Sequence, residues 1–408
     1  MKVAIIGGGA AGFFIAANLK LLAPDTSVTI FERQTDVMKK VLISGGGRCN
    51  VTNSFEGVTD LKQVYPRGHK LLKNLFNIFN YRSAYQWFEK NGVKLTTQDD
   101  HCVFPLSQDA HSIANCLKNI ATRTGVVIKT SHCVNNILKT ENGYDISFKE
   151  EHLPVQAFDC VAITTGGSPQ SRGLDYLKDL GHLIEEPVPS LFTFNINDAT
   201  LHDLMGTVVE PATASIAGTK FKAEGALLIT HWGMSGPAIL KLSSHAARYV
   251  NEQNYRFPLL VNWVNESNNE KVAETLRTIA DNSPNKQIGN VRPYNLPTRL
   301  WEYLIGKCGL TLERKWNELG KKGINRLTNT LCNDSYEIDG RGVFRDEFVT
   351  CGGISLSSVH RNTLESKTCP GLFFAGEVLD IDGVTGGFNF QAAWTTGYTV
   401  AKAISEKT

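Results

Sequence analysis

The sequence predicts an α/β protein: a Rossmann-like domain built on a parallel sheet, split along the chain by an inserted β-rich domain and a small helical domain. Three observations predict it. The chain opens on a strand, a glycine cluster, a helix and a second strand ending in an acid. Its middle alternates apolar and polar residues and then turns charged and helix-like. Near the C-terminus a glycine-rich strand–turn–helix texture returns.

The first strand is KVAII (Lys2 to Ile6), an apolar run of the kind buried in a parallel sheet. It enters Gly7-Gly8-Gly9-Ala10-Ala11-Gly12, which fits G-x-G-x-x-G, and then a helical stretch to about Leu22. Gly7 permits the tight turn, Gly9 lets backbone approach a pyrophosphate, and Gly12 lets helix pack on strand. The phosphates would sit at the helix N-terminus, where N–H groups lack internal partners. Val28 to Phe31 reads as the second strand and ends at Glu32, followed by Arg33. An acid at Glu32 can accept hydrogen bonds from a ribose diol and disfavours a 2′-phosphate.

Two further pieces select FAD over NAD. GLFFAGEVLDIDGVTGGFNFQAAWTTG (Gly371 to Gly397) reads as a short strand, the acid-bearing turn Gly376-Glu377, and a helix opened by Gly386-Gly387-Phe388-Asn389. Such a helix N-terminus can stabilise negative charge on a flavin ring, and NAD dehydrogenases need no such return of the chain. Of Glu377, Asp380 and Asp382, spacing leaves open which binds cofactor, and at least one is expected to be a solvated loop acid. FDCVAITTGGSPQ (Phe158 to Gln170) is a strand running into Thr164-Thr165-Gly166-Gly167, expected beneath the cofactor. Val126 to Val134 reads as one strand carrying the backbone of about Val134 toward the adenine. Between these pieces lies KKVLISGGGRCNVTNS (Lys39 to Ser54), in which three consecutive glycines flanked by Ser44 and Arg48-Cys49-Asn50 read as a loop. Lys40, Ser44, Gly45, Gly46, Arg48, Cys49 and Asn50 are candidate cofactor contacts there, with Arg48 as the fixed charge and Cys49 as a small packing residue.

These motifs resemble bacterial NAD(P)/FAD-dependent oxidoreductases of the aminoacetone-oxidase-like group, with a two-dinucleotide-type FAD domain. The resemblance is carried by GGGAAG (Gly7 to Gly12), KVLISGGGRCNVTN (Lys40 to Asn53), THWGMSGPAIL (Thr230 to Leu240), VTCGGIS (Val349 to Ser355) and the Gly371 to Gly397 block. It implies noncovalent FAD, Ser44, Gly45, Arg48, Cys49 and Asn50 by the cofactor, and Gly386 to Asn389 at the flavin. It also implies an FAD domain interrupted by a β-rich insertion that is itself interrupted by a helical one. One departure is His101-Cys102, where the group's pattern has Gly-Arg, which removes any substrate contact made by that arginine.

The insertion reads independently from the residues. LFTFNI, SIAGTKF, GALLITHWG and RFPLLVNW, between Leu191 and Trp263, alternate like antiparallel strands. From about Ser267 to Leu331 the texture is helical, with breaks at Pro284, Pro293 and Pro297. The expected boundaries are 1–188 and 346–408 for the FAD domain, 189–266 and 333–345 for the β-rich domain, and 267–332 for the helical one.

Composition narrows the function. The 408 residues include 42 Lys plus Arg and 40 Asp plus Glu, a net charge of +2. That balance argues against a protein devoted to nucleic acid or an anionic membrane, so neither partner is expected. Nine cysteines, none spaced Cys-x-x-Cys, read as reduced thiols of a cytoplasmic protein with no metal site. The apolar run from Val3 to Ala17 imitates a signal peptide, but its glycines fit a phosphate turn better. No apolar stretch reaches the ~20 residues of a membrane helix. There is no second G-x-G-x-x-G, so NAD(P)H is expected only as a transient co-substrate that stacks on the flavin. Catalytic residues are not assignable; His231 is a candidate proton-transfer group that reads more simply as structural. The expected activity is an FAD-dependent oxidoreductase, reduced by NAD(P)H and passing hydride to a small organic substrate, such as a conjugated double bond. An oxidase of an amine or alcohol using O2, and a nonenzymatic or RNA-associated flavoprotein, are the alternatives.

Overall fold

The computed structural model describes residues 1–168, 171–342 and 349–408, the side chains of 171 and 172 excepted. The expected boundary at 345/346 and the last two residues of the Phe158 to Gln170 motif lie outside the described residues. The chain forms two units, Met1–Pro189 with Arg345–Thr408, and Ser190–Phe344.

The first unit is organised by a five-stranded parallel sheet. β1 (Lys2–Ile6) pairs on one side with β2 (Ser27–Phe31) and on the other with Cys160–Ile163. Val127–Lys129 extends the sheet beyond β2, and Leu372–Phe374 extends it beyond Cys160–Ile163. β1 is buried without interruption from Val3 to Ile6, as a strand covered on both faces requires. Helix α1 (Ala10–Leu22) and the C-terminal helix Phe388–Ser405 pack against each other. Their contact is dense because Gly397 brings the helix backbones together, its Cβ position lying 3.2 Å from the Ala11 carbonyl oxygen. Truncating the fully buried Ile5 to alanine should cost about 2–5 kcal/mol.

Two elements differ from expectation. The glycine loop is led into by a helix that was not expected, α2 (Lys39–Gly47), which breaks at Ser44, whose ψ is 150°, and at Gly45 and Gly46, which are left-handed. Val126–Val134 is not one strand. Val127–Lys129 belongs to the parallel sheet, whereas Val134–Thr140 starts an antiparallel sheet with Gly143–Phe148 and Gln156–Phe158. The chain turns between them because Ser131 takes φ 54° and the N–H groups of Ser131 and His132 donate to the Gln34 and Glu32 carbonyls.

His182, also in this unit, is 2% exposed. Its Nδ1 lies 2.8 Å from the Leu177 carbonyl oxygen and its Nε2 2.7 Å from Ser366 Oγ. Burial holds its pKa below the ordinary 6.5, against the smaller upward pull of the Leu177 contact. The unfolded chain therefore takes up a proton that the folded chain resists. The stability tied to neutral His182 is present above about pH 6.5 and lost as pH falls below it. The urea midpoint is expected to drop between pH 7.5 and 5.5, and to drop less in His182→Gln.

The second unit is a closed six-stranded antiparallel barrel. Around it run Phe194–Ile196, Gly233–Ser235, Lys222–Thr230, Val208–Ile216, Arg256–Asn262 and Asp334–Arg341. Arg256–Asn262 shows why: its residues alternate between an apolar interior and the outside, with Phe257, Leu259 and Val261 buried. Helices Asn269–Asn282, Thr298–Lys307 and Gly320–Cys332 follow, as the texture of residues 267–331 predicts. His231 is exposed in the turn joining Lys222–Thr230 to Gly233–Ser235 and rests edge-on against Trp232 at 4.3 Å.

Candidate cofactor site

The turn between β1 and α1 has no room for side chains where it touches the sheet and open space where it does not. Gly7 has φ +114°, and a Cβ there would sit 2.3 Å from the Thr164 carbonyl oxygen. Thr164 Oγ1 locks the same corner by donating to the Ile6 and Gly7 carbonyls, at 3.0 and 2.9 Å. A Cβ on Gly12 would lie 2.1 Å from the Gly7 oxygen, whereas one on Gly9 would meet nothing within 4 Å. No side chain caps α1. The first intrahelical donor after Gly9 is Phe13, at 3.1 Å, so the N–H groups of Ala10, Ala11 and Gly12 precede the ladder. A bare backbone at the positive end of a helix is a phosphate cradle. Glu32 stands beside it: Oε2 accepts from Gly8 N–H at 2.9 Å and Oε1 from Gln34 N–H at 2.8 Å. Its remaining lone pairs can take a ribose diol. Arg33 is exposed.

In the second glycine cluster Gly45, Gly46 and Gly47 take φ of 57°, 67° and 81° in succession, and a Cβ on Gly46 would meet nothing. Ser44 Oγ donates to the Val41 carbonyl at 2.7 Å. The Arg48 guanidinium lies 4.3 Å over the Phe104 ring and donates to Gly45 O and Gln108 Oε1, at 3.1 and 3.3 Å. Arg48 therefore folds back and stiffens the glycine turn. Cys49 is fully buried, and burial pushes its thiol up to about 12, against a weaker hydrogen bond with Ser44. A thiol held protonated is a poor nucleophile. Iodoacetamide is expected to label the half-buried Cys133 in the native protein and to spare Cys49, as peptide mass mapping would read.

The C-terminal block closes on both clusters. Glu377 takes Lys40 Nζ and the Thr350 N–H, each at 2.9 Å. The turn Thr165-Gly166-Gly167 abuts it, since a Cβ on Gly167 would fall 2.6 Å from Glu377 Oε1. Gly376 N–H donates to Thr396 Oγ1 at 2.9 Å. Gly386 and Gly387 both have positive φ, and a Cβ on Gly387 would lie 2.3 Å from the Thr52 carbonyl oxygen. The Asn50 amide bridges here: its oxygen accepts from Gly387 N–H at 3.1 Å and its nitrogen donates to the Thr52 and Val103 carbonyls. Asn53 Nδ2 donates to Gly386 O at 3.0 Å and Trp394 Nε1 to Val51 O at 2.8 Å. Two side chains of the predicted set are used internally. Phe388 is buried, and the Asn389 amide makes a two-way pair with the Gly383 backbone, at 2.8 and 2.9 Å. At these two positions the backbone is what a ligand could reach.

Residues 64–68 brace this loop, and nothing in their sequence marks them. Arg67 holds Asp382 with two hydrogen bonds, one from Nε to Oδ1 at 2.5 Å. Asp382 is fully buried, Asp380 is half-buried with its N–H on Ile354 O, and Glu377 is half-buried, so none of the three acids is fully solvated as at least one was expected to be. Val384 N–H donates to Val64 O at 2.9 Å, and Tyr65 hydroxyl to Phe388 O at 2.8 Å. Val134 is half-buried with its backbone paired to Phe148, two residues beyond His132, whose N–H donates to the Glu32 carbonyl at 2.9 Å. Gly8, Thr164, Gly167 and Arg67 were missed by the sequence reading. The first three stood inside quoted motifs, while Arg67 meets its partner 315 positions away.

The chain matches the family described as HI0933-like protein Rossmann domain over residues 1–403. It belongs to the HI0933-like Rossmann-domain family. The family and its structural neighbours are FAD-dependent oxidoreductases, and the site fits that cofactor. The uncapped α1 N-terminus, the open approach over Gly9 and the acid at the end of β2 suit its ADP half. Among full-length relatives is the 3-dehydro-bile acid delta(4,6)-reductase of Clostridium scindens, 26% identical over 100% of this chain and 99% of that protein. Another is the ribosomal RNA dihydrouridine synthase of Haemophilus influenzae, 28% identical over 99% of this chain and 98% of its own. The 3-ketosteroid-delta4-(5alpha)-dehydrogenase of Rhodococcus jostii shares the fold, with TM-score 0.52, 13% identity, and 99% of this chain and 96% of that one covered. Among the described residues no helix is long and apolar enough to cross a membrane.

Proposed function

We propose that this HI0933-like protein is a reductase that uses NAD(P)H to saturate a carbon–carbon double bond conjugated to a carbonyl. One observation carries the reading. Two relatives that align over essentially the whole chain have unlike substrates, yet their names denote the same change, saturation of carbon–carbon double bonds. One acts in a polycyclic acid and the other in a pyrimidine of RNA. A fold that serves both supplies the bond chemistry in common. Overall, NAD(P)H gives a hydride to one carbon and water or a protein acid gives a proton to the other, releasing NAD(P)+.

FAD, when bound, supplies the hydride-transfer chemistry. The residues of this chain hold and orient it. The first-turn N–H groups of Ala10, Ala11 and Gly12 take the pyrophosphate, and Glu32 takes the adenosine ribose. Lys40 and Glu377, joined as an ion pair, close over the middle of the cofactor. The backbone of Gly386 to Asn389 meets the flavin, held in place by Asn50 and Asn53. With no second G-x-G-x-x-G in the chain, the nicotinamide binds transiently.

Anaerobic mixing of the FAD-loaded protein with NADH and with NADPH tests this. Bleaching of the oxidised flavin band by either nucleotide is the expected result. If neither bleaches it, the reading fails, and release of hydrogen peroxide from amines or alcohols becomes the measurement that supports an oxidase. A free enone and a pyrimidine within RNA are the two substrates the relatives suggest.

A further inference from the structure

Packing alone does not explain the polar face of the C-terminal helix. Gln391, Thr395, Thr396 and Thr399 of Phe388–Ser405 are all buried, the first three completely. Burying such groups costs free energy unless each finds a partner, and apolar side chains would pack there without that cost. Thr396 and Thr399 find partners close by. Thr399 Oγ1 donates to the Thr395 carbonyl at 2.8 Å, and Thr396 Oγ1 to the Ala392 carbonyl at 2.6 Å while accepting from Gly376 N–H. Gln391 reaches further. Its Oε1 accepts from the Thr52 hydroxyl at 2.6 Å, and its Nε2 donates to Thr395 Oγ1 at 3.0 Å. Thr395 Oγ1 donates in turn to the Phe79 carbonyl at 2.9 Å. A directional chain of hydrogen bonds thus crosses the core from Thr52 to Phe79, with Gln391 in its middle.

The chain starts at the segment against which the helix begins. Gln391 and Trp394, three residues apart, share one helix face. Trp394 Nε1 holds the Val51 carbonyl at 2.8 Å, and Gln391 holds the side chain of the next residue, Thr52. The Thr52 carbonyl accepts from the Asn50 amide nitrogen at 2.8 Å, and the Asn50 oxygen accepts from Gly387 N–H at 3.1 Å. A Cβ on Gly387 would lie 2.3 Å from that same Thr52 carbonyl, so the turn must follow any shift of Thr52. The helical ladder opens with Gln391 N–H on the Gly387 carbonyl at 3.0 Å. The N–H groups of Phe388, Asn389 and Phe390 precede it, and no side chain caps them.

We propose that Gln391 is a positioning residue for the flavin. Through Thr52 it fixes the aim of the first-turn N–H groups of helix Phe388–Ser405, and so sets the reduction potential of the cofactor. The proposal rests on the proposed placement of the flavin at Gly386 to Asn389. It goes beyond that placement because Gln391, fully buried, reaches no ligand itself. N–H groups at a helix start favour the negatively charged, reduced ring only while they point at it. A turn free to swing favours it less. Trp394 still holds Val51 when Gln391 is replaced, so the helix keeps its seat and loses its fine setting.

The test is a redox titration of the FAD-loaded full chain against a reference dye, which needs neither NAD(P)H nor a substrate. Gln391→Leu should lower the two-electron midpoint potential by at least about 30 mV, the equivalent of a tenfold weaker preference for reduced over oxidised FAD. Thr52→Val cuts the same hydrogen bond from its other end and should lower the potential alike. Thr52→Ser keeps the hydroxyl and should keep the parent potential. The double variant Gln391→Leu, Thr52→Val should shift no further than either single one, because one interaction is lost only once. A parental potential in FAD-loaded Gln391→Leu overturns the proposal, and so do shifts that add in the double variant. Should Gln391→Leu fail to fold, a parental potential in Thr52→Val overturns it alone. Asn50→Ala, which releases Gly387 N–H directly, separates the two readings. A shift in Asn50→Ala without one in Gln391→Leu keeps the flavin placement and removes the role of Gln391. No shift in any of the variants overturns both. Bleaching by NAD(P)H judges the reductase reading separately.

Discussion

Gly9→Ala is expected to weaken FAD binding by at least about tenfold, or 1.4 kcal/mol, while leaving the apoprotein as stable as before. The Gly9 backbone is extended, at φ −95° and ψ −165°, a conformation alanine adopts freely. Its Cβ would meet no protein atom within 4 Å. Folding therefore gains whatever the unfolded chain loses in freedom, about 0.4–1 kcal/mol. On the proposed cofactor reading the new methyl would stand in the space the pyrophosphate needs, and only the cofactor would feel it. Gly12→Ala makes the contrast. Its Cβ would fall 2.1 Å from the Gly7 carbonyl oxygen, a backbone atom that cannot swing aside, so α1 must lift off the sheet. That variant should lose stability, about 1–3 kcal/mol on the scale of overpacked cores, and FAD with it. Urea midpoints of the apoproteins beside FAD titrations would separate the two. Equal loss of stability in both variants would show that Gly9 serves the fold and not the ligand.

The second large effect is expected at the buried ion pair. Arg67→Met leaves the fully buried Asp382 carboxylate without its guanidinium, a change of the kind that costs about 3–5 kcal/mol. Replacing both partners, Arg67→Met with Asp382→Leu, should recover much of that, because it removes the stranded charge. What the double variant should not recover is the cofactor. The pair ties the Tyr65 segment to the loop that sets Gly386 and Gly387, and an apolar contact lacks its direction. A stable double variant with a shifted flavin spectrum or weakened FAD retention would mark Arg67 as a positioning residue. A double variant that holds FAD as the parent does would reduce the pair to a matter of stability.

Much of this architecture was legible in the residues because local pattern encodes it. An apolar run entering Gly7-x-Gly9-x-x-Gly12 reads as strand, turn and helix with no tertiary information, and the alternation in Arg256–Asn262 reads as a half-buried strand. Local pattern failed where distant backbone decides. The three glycines read as a loop, but the helical turn ahead of them has no local signal of its own: Val41 packs into the core and holds it up to the break at Ser44. Val126–Val134 passed for one strand because every residue in it tolerates extension; carbonyls of Glu32 and Gln34 bend it. Spacing leaves Glu377, Asp380 and Asp382 alike, and only the arrival of Arg67, 315 positions away, sets Asp382 apart as buried. The net charge of +2 is a sum over the chain and says nothing of how charge is spread along it.

The order of strands in the parallel sheet bears on when the protein can be completed during translation. Leu372–Phe374 is the neighbour of Cys160–Ile163, and helix Phe388–Ser405 lies on α1, yet the whole of Ser190–Phe344 is made in between. The nascent N-terminal segment leaves the ribosome with one sheet edge and one helix face uncovered. It must keep them from wrong pairing until the last stretch emerges to cover both. Glu377 and Gly387 arrive in that stretch, so on the proposed cofactor reading FAD would be captured late, by a domain whose first strand was made long before.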